Sequence, residues 1–382
     1  MPGYELIDKK EKKAINEIFE KQELFYNGKR VKEFENRFSK YIGTKYSVAV
    51  SSGTAAIKTA LISLGVQRGD EVITQSFTFI ATVEAIMDIG AKPIIVNINE
   101  TLNMCPNELQ QKITKKTKAI IPVHMLGVSA QVDKIMKIAK KNKIPIVDDN
   151  CEALGAKWGK KRLGYHADIC TWSFDNGKTI TTGEGGMITT NNKRIYQTCR
   201  EYKDHGHQNN PNLPRGLDTH KIYGFNYRIT EIQAALGLTQ LKKLNIILKN
   251  NKKNYNIIQR KIKILKKIQF RKIPKKCSPL YDCLIFKVPS KKIASKFSGL
   301  LKSKKIITKN LPSAINWHFA KHWDHIFLKF GYNKKKLSKK FFKSSEILER
   351  CIAIPISSKN QFEITKKTAD KIFNIAKSLN LN

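Results

Sequence analysis

The chain has 382 residues, is 41% hydrophobic and 27% charged, and carries a formal net charge of +40. That length supports two domains with a substantial core, and the composition fits a soluble globular protein. No run of about 18 apolar residues marks a membrane span, and the opening residues lack the basic-then-apolar layout of a signal peptide.

The seven cysteines form no CxxC pair and no Cys/His cluster, so the sequence points to neither a metal site nor a disulfide framework. A reducing cytoplasm is the expected location. The positive charge is mostly lysine, alongside abundant Asn and Ile, a joint bias expected of an AT-rich genome. The lysine runs at 261–276 and 334–343 read as solvated faces. Specific nucleic-acid sites lean on arginine forks and interleaved aromatics. None are clustered here, so nucleic acid is not the expected partner.

In chain order, residues 5–20 have a helical mix of charged and apolar positions. Val31, Phe34, Phe38 and Tyr41 recur at steps of three and four, predicting an amphipathic helix over 31–41. Residues 46–50 read as a strand, followed by Ser51-Ser52-Gly53-Thr54 and a helix over 55–64. A strand, a small-residue turn and a helix start present free backbone N–H groups to an anion. Gly53 and Thr54 are therefore candidate phosphate binders, although the same residues also read as a plain N-cap.

Gly69 turns into a strand at 70–73. Phe77-Thr78-Phe79 then leads into a helix through Met87, and Phe79 is placed to offer a flat face to a heterocycle or to pack in a core. Strands over 92–98 and 117–123 and a helix over 133–141 follow. The next strand, 144–147, runs into Asp148-Asp149-Asn150-Cys151-Glu152. Open α/β sheets bind ligands beyond the carboxyl ends of their strands, so this acidic pair is a site candidate. Helix capping by Asp is the competing explanation.

Between expected strands at 167–174 and 187–190 lies one lysine, Lys178, in a loop of hydroxyls and glycines. A lysine amine is a nucleophile toward carbonyls where its surroundings favour the neutral form. Residues 196–227 look irregular and read as a long functional loop. Thr230 opens a long helix that carries the chain out of the first domain near residue 250. Beyond it, a strand at 280–288, a helix at 291–302, an Asn316-Trp317-His318-Phe319 segment and a strand at 351–355 predict a smaller α/β domain. The alternation of strands and helices predicts an α/β fold with a mainly parallel sheet. The expected division is 1–250 and 251–382, with the N-terminal segment free to pack on the smaller domain.

These pieces meet the needs of pyridoxal 5'-phosphate (PLP). The cofactor needs an amine for its aldehyde, an acid for its ring nitrogen, a flat face, a phosphate cradle and a hydroxyl contact. Lys178, Asp149, Phe79, Gly53 with Thr54 and Ser173, and Glu152 supply these in turn.

Long ordered motifs also resemble the DegT/DnrJ/EryC1/StrS sugar aminotransferases. They include Phe34-Glu35, Ser52 to Ala56, Gly69 to Ile73, Phe77 to Thr82 and Pro122-Val123-His124. Asp149 to Gly155, Ser173 to Gly186, Asn226-Tyr227-Arg228 with Glu231, and Cys351 to Pro355 complete the match.

The resemblance implies a fold type I PLP enzyme acting as a homodimer with shared active sites. It places Lys178 as the Schiff-base lysine, Asp149 at the pyridinium nitrogen and Phe79 at the stacking position. Gly53, Thr54 and Ser173 fall on the phosphate, which Asn226 reaches from the neighbouring subunit. The family commonly has Gln or His where this chain has Glu152, so a Glu there must be protonated or paired.

The segment 149–155 also looks like a sugar-dehydrating branch that replaces the lysine with histidine, and the presence of Lys178 favours amino transfer. Met1-Pro2-Gly3, Asp204 to His207, and Lys309-Asn310-Leu311-Pro312 through His318 resemble the branch acting on an eight-carbon keto-acid sugar related to KDO.

The implied reaction moves an amino group from glutamate to a keto sugar of cell-surface polysaccharide or lipopolysaccharide biosynthesis. The acceptor is a nucleotide-linked keto-deoxy sugar or an 8-oxo KDO-type acid. Lys178 serves as covalent partner and as general acid and base. His205, Arg228 and His318 are candidate substrate contacts. The alternatives are a PLP-dependent dehydratase of the same family and a non-enzymatic regulator or nucleic-acid binder.

Overall fold

A computed structural model describes residues 2–21 and 26–382. Met1 of the opening Met1-Pro2-Gly3 segment lies outside the described residues.

Seven strands form the central sheet. Lys92–Val96, Glu71–Gln75 and Thr117–Ile121 pair in parallel. Parallel bridges from Ile120 to Ile146 and from Val123 to Asp149 join them to Val147–Asp149. That strand runs parallel to Ile169–Ser173. Gly186–Thr190 then pairs antiparallel with both Ile169–Ser173 and Tyr46–Val50. The sheet is thus parallel apart from one strand, as the alternating pattern predicted.

Its strands are buried nearly throughout because helices cover both faces. Lys29–Ile42 buries Val31, Phe34, Phe38 and Ile42. Phe38 meets Trp172 and Phe174 edge-on at 5.4 Å each. Gly237 of the long helix Glu231–Ile262 is required here, since a Cβ would come within 2.5 Å of the Phe34 ring.

Glu231 is fully buried, and its carboxylate accepts from the backbone N–H groups of Gly28, Arg30 and Val31 at 2.8, 2.6 and 3.2 Å. It therefore caps Lys29–Ile42 from 200 residues away along the chain, using donors that no helix can satisfy internally.

Beyond residue 262 a three-stranded antiparallel sheet runs in the order Gln269–Phe270, Cys283–Lys287, Cys351–Pro355. Its core draws Tyr255, Ile258 and Ile262 from the long helix, Phe297 and Leu301 from Lys291–Ser303, and Ile372 and Ile375 from Phe362–Ser378. The segment between the last two strands returns to the large sheet. Phe319, Trp323 and Phe341 share a core with Val72, Phe77 and Ile86. The helix Lys334–Lys340 turns its lysines outward and buries only Leu337.

Three local expectations differ from the structure. The first helix is two, Pro2–Glu5 and Lys9–Glu20, because Asp8 and Glu11 form a capping box that restarts the chain. The region 196–227 is not irregular throughout. Lys193–Tyr202 is a helix capped by Asn192, with Ile195, Cys199 and Tyr202 buried on one face. Asp149 caps no helix. It ends its strand and turns the chain by accepting from the Cys151 N–H.

Candidate active site

Eight residues singled out in the sequence line one cavity of about 490 Å³: Gly53, Thr54, Phe79, Asp149, Glu152, Ser173, Lys178 and His318. Gly53, Thr54, Phe79, Asp149, Glu152 and Ser173 come from strand ends and helix starts of the parallel sheet, where open α/β folds hold ligands. Lys178 comes from a loop, and His318 ends the short helix Ile315–His318.

Lys178 sits in the connection from Ile169–Ser173 to Gly186–Thr190, and the connection is pinned at several points. Phe174 donates to Gly185 O at 2.8 Å and Thr182 to Phe174 O at 2.9 Å. The Lys178 N–H donates to Asp175 O at 3.0 Å, and Gly3 N–H donates to Lys178 O at 3.0 Å.

Asp149 is buried, with Thr82 Oγ1 donating to Oδ2 and Cys151 N–H to Oδ1, both at 3.1 Å. Burial raises its carboxyl above the usual range despite these bonds, since no cation sits directly on it. A protonated ring nitrogen would supply that cation. Cys151 beside it is kept a thiol by burial and the Asp149 charge, which removes it as a nucleophile.

Glu152 resolves the departure noted in the sequence: it is paired. Burial opposes its charge, but Lys178, Lys309 and His318 outweigh that and hold it at about 2. Its Oε1 lies 3.6 Å from Lys178 Nζ, and its Oε2 accepts from Leu126 N–H at 3.0 Å. His318 is driven toward the neutral form by burial. Its Nδ1 meets Ala314 O at 2.8 Å, so that nitrogen carries the proton. The His318 ring lies 5.3 Å from Phe79.

The N-cap falls on Ser52, one residue before the candidate phosphate turn Gly53-Thr54. Ser52 caps Gly53–Ser63, its Oγ accepting from Ala55 N–H at 3.1 Å. Gly53 leaves the approach open, because a Cβ there would lie 2.9 Å from Ser173 Cβ and 3.2 Å from Cys151 Sγ. Helix start and strand end thus converge on a small polar recess suited to an anion. Phe79 is 43% exposed and leaves a ring available for stacking. An amine, an uncompensated buried carboxylate, an open ring and an anion cradle fit PLP.

Three expected residues lie elsewhere. Asn226 forms an antiparallel bridge with Asp204. Arg228 and Arg215 both bind Asp204, Arg215 through two bonds at 2.8 and 2.6 Å. His205 is exposed at a positive φ of 56°. Sequence reasoning missed Thr78, Thr82, Asp282, Lys309 and Asn310 as cavity residues. Lys309 and Asn310 carried a signal, the family-like segment at 309–318, but nothing local ties Asp282 to the site.

Residues 5–374 match the DegT/DnrJ/EryC1/StrS aminotransferase family. The chain is 39% identical over 262 residues to the GDP-perosamine synthase of Escherichia coli O157:H7, covering 67% of this chain and 69% of that one. An aminotransferase from Psychrobacter cryohalolentis is 25% identical and superposes with a TM-score of 0.86 over 98% of both chains. A Streptococcus pneumoniae protein solved in its PLP-form shares the fold, with 24% identity, a TM-score of 0.87 and coverage of 98% and 97%. With the cavity geometry and the match over 5–374 agreeing, this chain belongs to the DegT/DnrJ/EryC1/StrS family and is a pyridoxal-phosphate-dependent aminotransferase.

Proposed function

We propose that the chain transfers an amino group from glutamate to a keto sugar destined for a bacterial cell-surface polysaccharide, acting in the cytoplasm as a homodimer. The observation that carries this is the placement of the Lys178 amine within one cavity beside Glu152 and Asp149. The name of the Escherichia coli relative supports a nucleotide-linked keto-deoxy sugar as acceptor. The 309–318 segment leaves an 8-oxo KDO-type acid as the second acceptor class.

PLP supplies an aldehyde and an electron-accepting ring. Asp149, oriented by Thr82 and Cys151 N–H, keeps a proton on the ring nitrogen. Gly53, Thr54 and Ser173 would hold the cofactor phosphate, and Phe79 would offer its ring for stacking. Lys178 Nζ takes the α-proton of the amino donor and later returns a proton to the sugar carbon. Glu152 stays ionised beside it and would contact the cofactor hydroxyl.

Asn226 lies outside its own chain's cavity, consistent with service to the partner subunit's phosphate. His205 and Arg228 share its loop and are proposed as contacts reaching the same neighbouring site. Residues 1–250 act as the cofactor domain and 251–382 as the smaller domain that completes the cavity.

The test is a panel of nucleotide-linked keto sugars and free keto-sugar acids assayed with glutamate and followed by mass spectrometry. Amination of one member with loss of the yellow colour on glutamate addition is the expected result. Turnover of a sugar without any amino donor would instead establish a dehydratase.

A further inference from the structure

The cavity also holds a second buried lysine that the transamination chemistry does not use. Lys309 precedes the turn into Leu311-Pro312, and its backbone N–H donates to Ala353 O of the small sheet at 2.9 Å. Its side chain is 9% exposed, and Nζ donates to Asp282 Oδ2 at 2.5 Å. Asp282 stands just before Cys283–Lys287 and is itself buried.

An ammonium has three donors, and among the described residues this one uses a single donor on protein. Burial of a charge is costly unless its hydrogen bonds are filled. The neighbouring acceptor is also incomplete, since Asp282 Oδ1 is buried without a hydrogen-bond partner among the described residues and lies against Gly127. Lys309 stays protonated, because the charges of Asp282 and Glu152 overcome its burial.

Both residues line the same cavity as Lys178. The groups of this cavity assigned to the cofactor come from residues 53–178, so the open donors of Lys309 are left for substrate. The charge balance decides which substrate group. Lys309 already answers two carboxylates, Asp282 and Glu152, so a further carboxylate would leave these groups with excess negative charge. A neutral hydroxyl fits instead, because its oxygen can accept from Lys309.

Resting on the keto-sugar reading above, we propose that Lys309, held by Asp282, binds a hydroxyl oxygen of the acceptor sugar and thereby selects the sugar over simple keto acids. Sites built to hydrogen-bond a substrate hydroxyl reject analogues that lack it by factors of about 10⁴. The loss of the lysine alone is expected to be smaller.

The experiment compares wild type with Lys309→Met and Asp282→Asn in the two half-reactions separately. The glutamate half is followed by bleaching of the bound cofactor. The sugar half is followed in reverse with GDP-perosamine, or with the amino sugar made from whichever panel member is turned over. Cofactor dissociation is measured by fluorescence on the same samples.

The expected result for Lys309→Met is a fall of at least about 100-fold in the sugar half-reaction, with the glutamate half and cofactor affinity within about threefold of wild type. Asp282→Asn shifts the same half-reaction in the same direction by less. A fall confined to the glutamate half would make Lys309 a carboxylate anchor and overturn the proposal. Equal loss in both halves, weakened cofactor binding, or an intact sugar half would also overturn it. Failure of the wild type with every sugar would remove the functional reading itself, an outcome visible before any variant is made.

Discussion

The two walls of the cavity were built in different ways. The cofactor wall is made where strands of one sheet end and helices begin: Ser52 to Thr54, Phe79, Asp149 to Glu152, and Ser173 to Lys178. Each of its residues has an adjacent structural reason for its position, such as the Ser52 cap or the Asp149 turn. The other wall brings Asp282, just before Cys283–Lys287, to Lys309 and Asn310 of a connecting segment and His318 at the end of Ile315–His318. It is assembled by contacts between distant parts of the chain. The first wall is suited to an invariant ligand, and the second to whatever distinguishes one substrate from another.

This contrast can be broken from the first wall, beginning with Lys178. Lys178→Arg keeps the charge beside Glu152 but removes the nucleophilic amine, so turnover should fall by about 10⁴-fold or more. Borohydride reduction and peptide mapping should lose the pyridoxyl label at position 178, and retained turnover would sink the assignment. Asp149→Ala comes next. It should lower turnover by about 100-fold or more while leaving the fold intact, read as activity against the thermal melt of the apoprotein.

Gly53→Ala puts a methyl group against Ser173 and Cys151. Overpacking of this kind costs about 1–3 kcal/mol. The cofactor should dissociate more readily from the variant, and unchanged affinity would remove the cradle from the argument.

The smallest effect belongs to Glu152. Its folded value of about 2 lies below the ordinary 4.5, so its pairing adds stability that is complete above pH 4.5 and lost as pH falls toward 2. Glu152→Gln should therefore flatten that limb of the apoprotein's urea-unfolding profile. An unchanged slope between those pH values would show that the pairing with Lys178 and Lys309 contributes nothing to folding.

The sequence by itself determined the α/β alternation, because apolar periodicity and turn residues are local properties. It also marked Lys178, Asp149 and the Gly53-Thr54 turn, which the fold gathers into one cavity, since each lies in an uninterrupted motif. It misplaced the helix Lys193–Tyr202, whose apolar face has only three buried positions among ten residues. The state of Glu152 was open in the sequence, because a carboxylate's charge depends on cations that arrive from elsewhere in the chain.

Only the tertiary structure decided that Lys309 and Asp282 stand together in the cavity that also holds Lys178. The same holds for Glu231, which caps a helix 200 residues earlier in the chain. The physical reason is common to both cases. A buried charge takes its partner from whatever the fold brings within reach, and no local pattern records that distance.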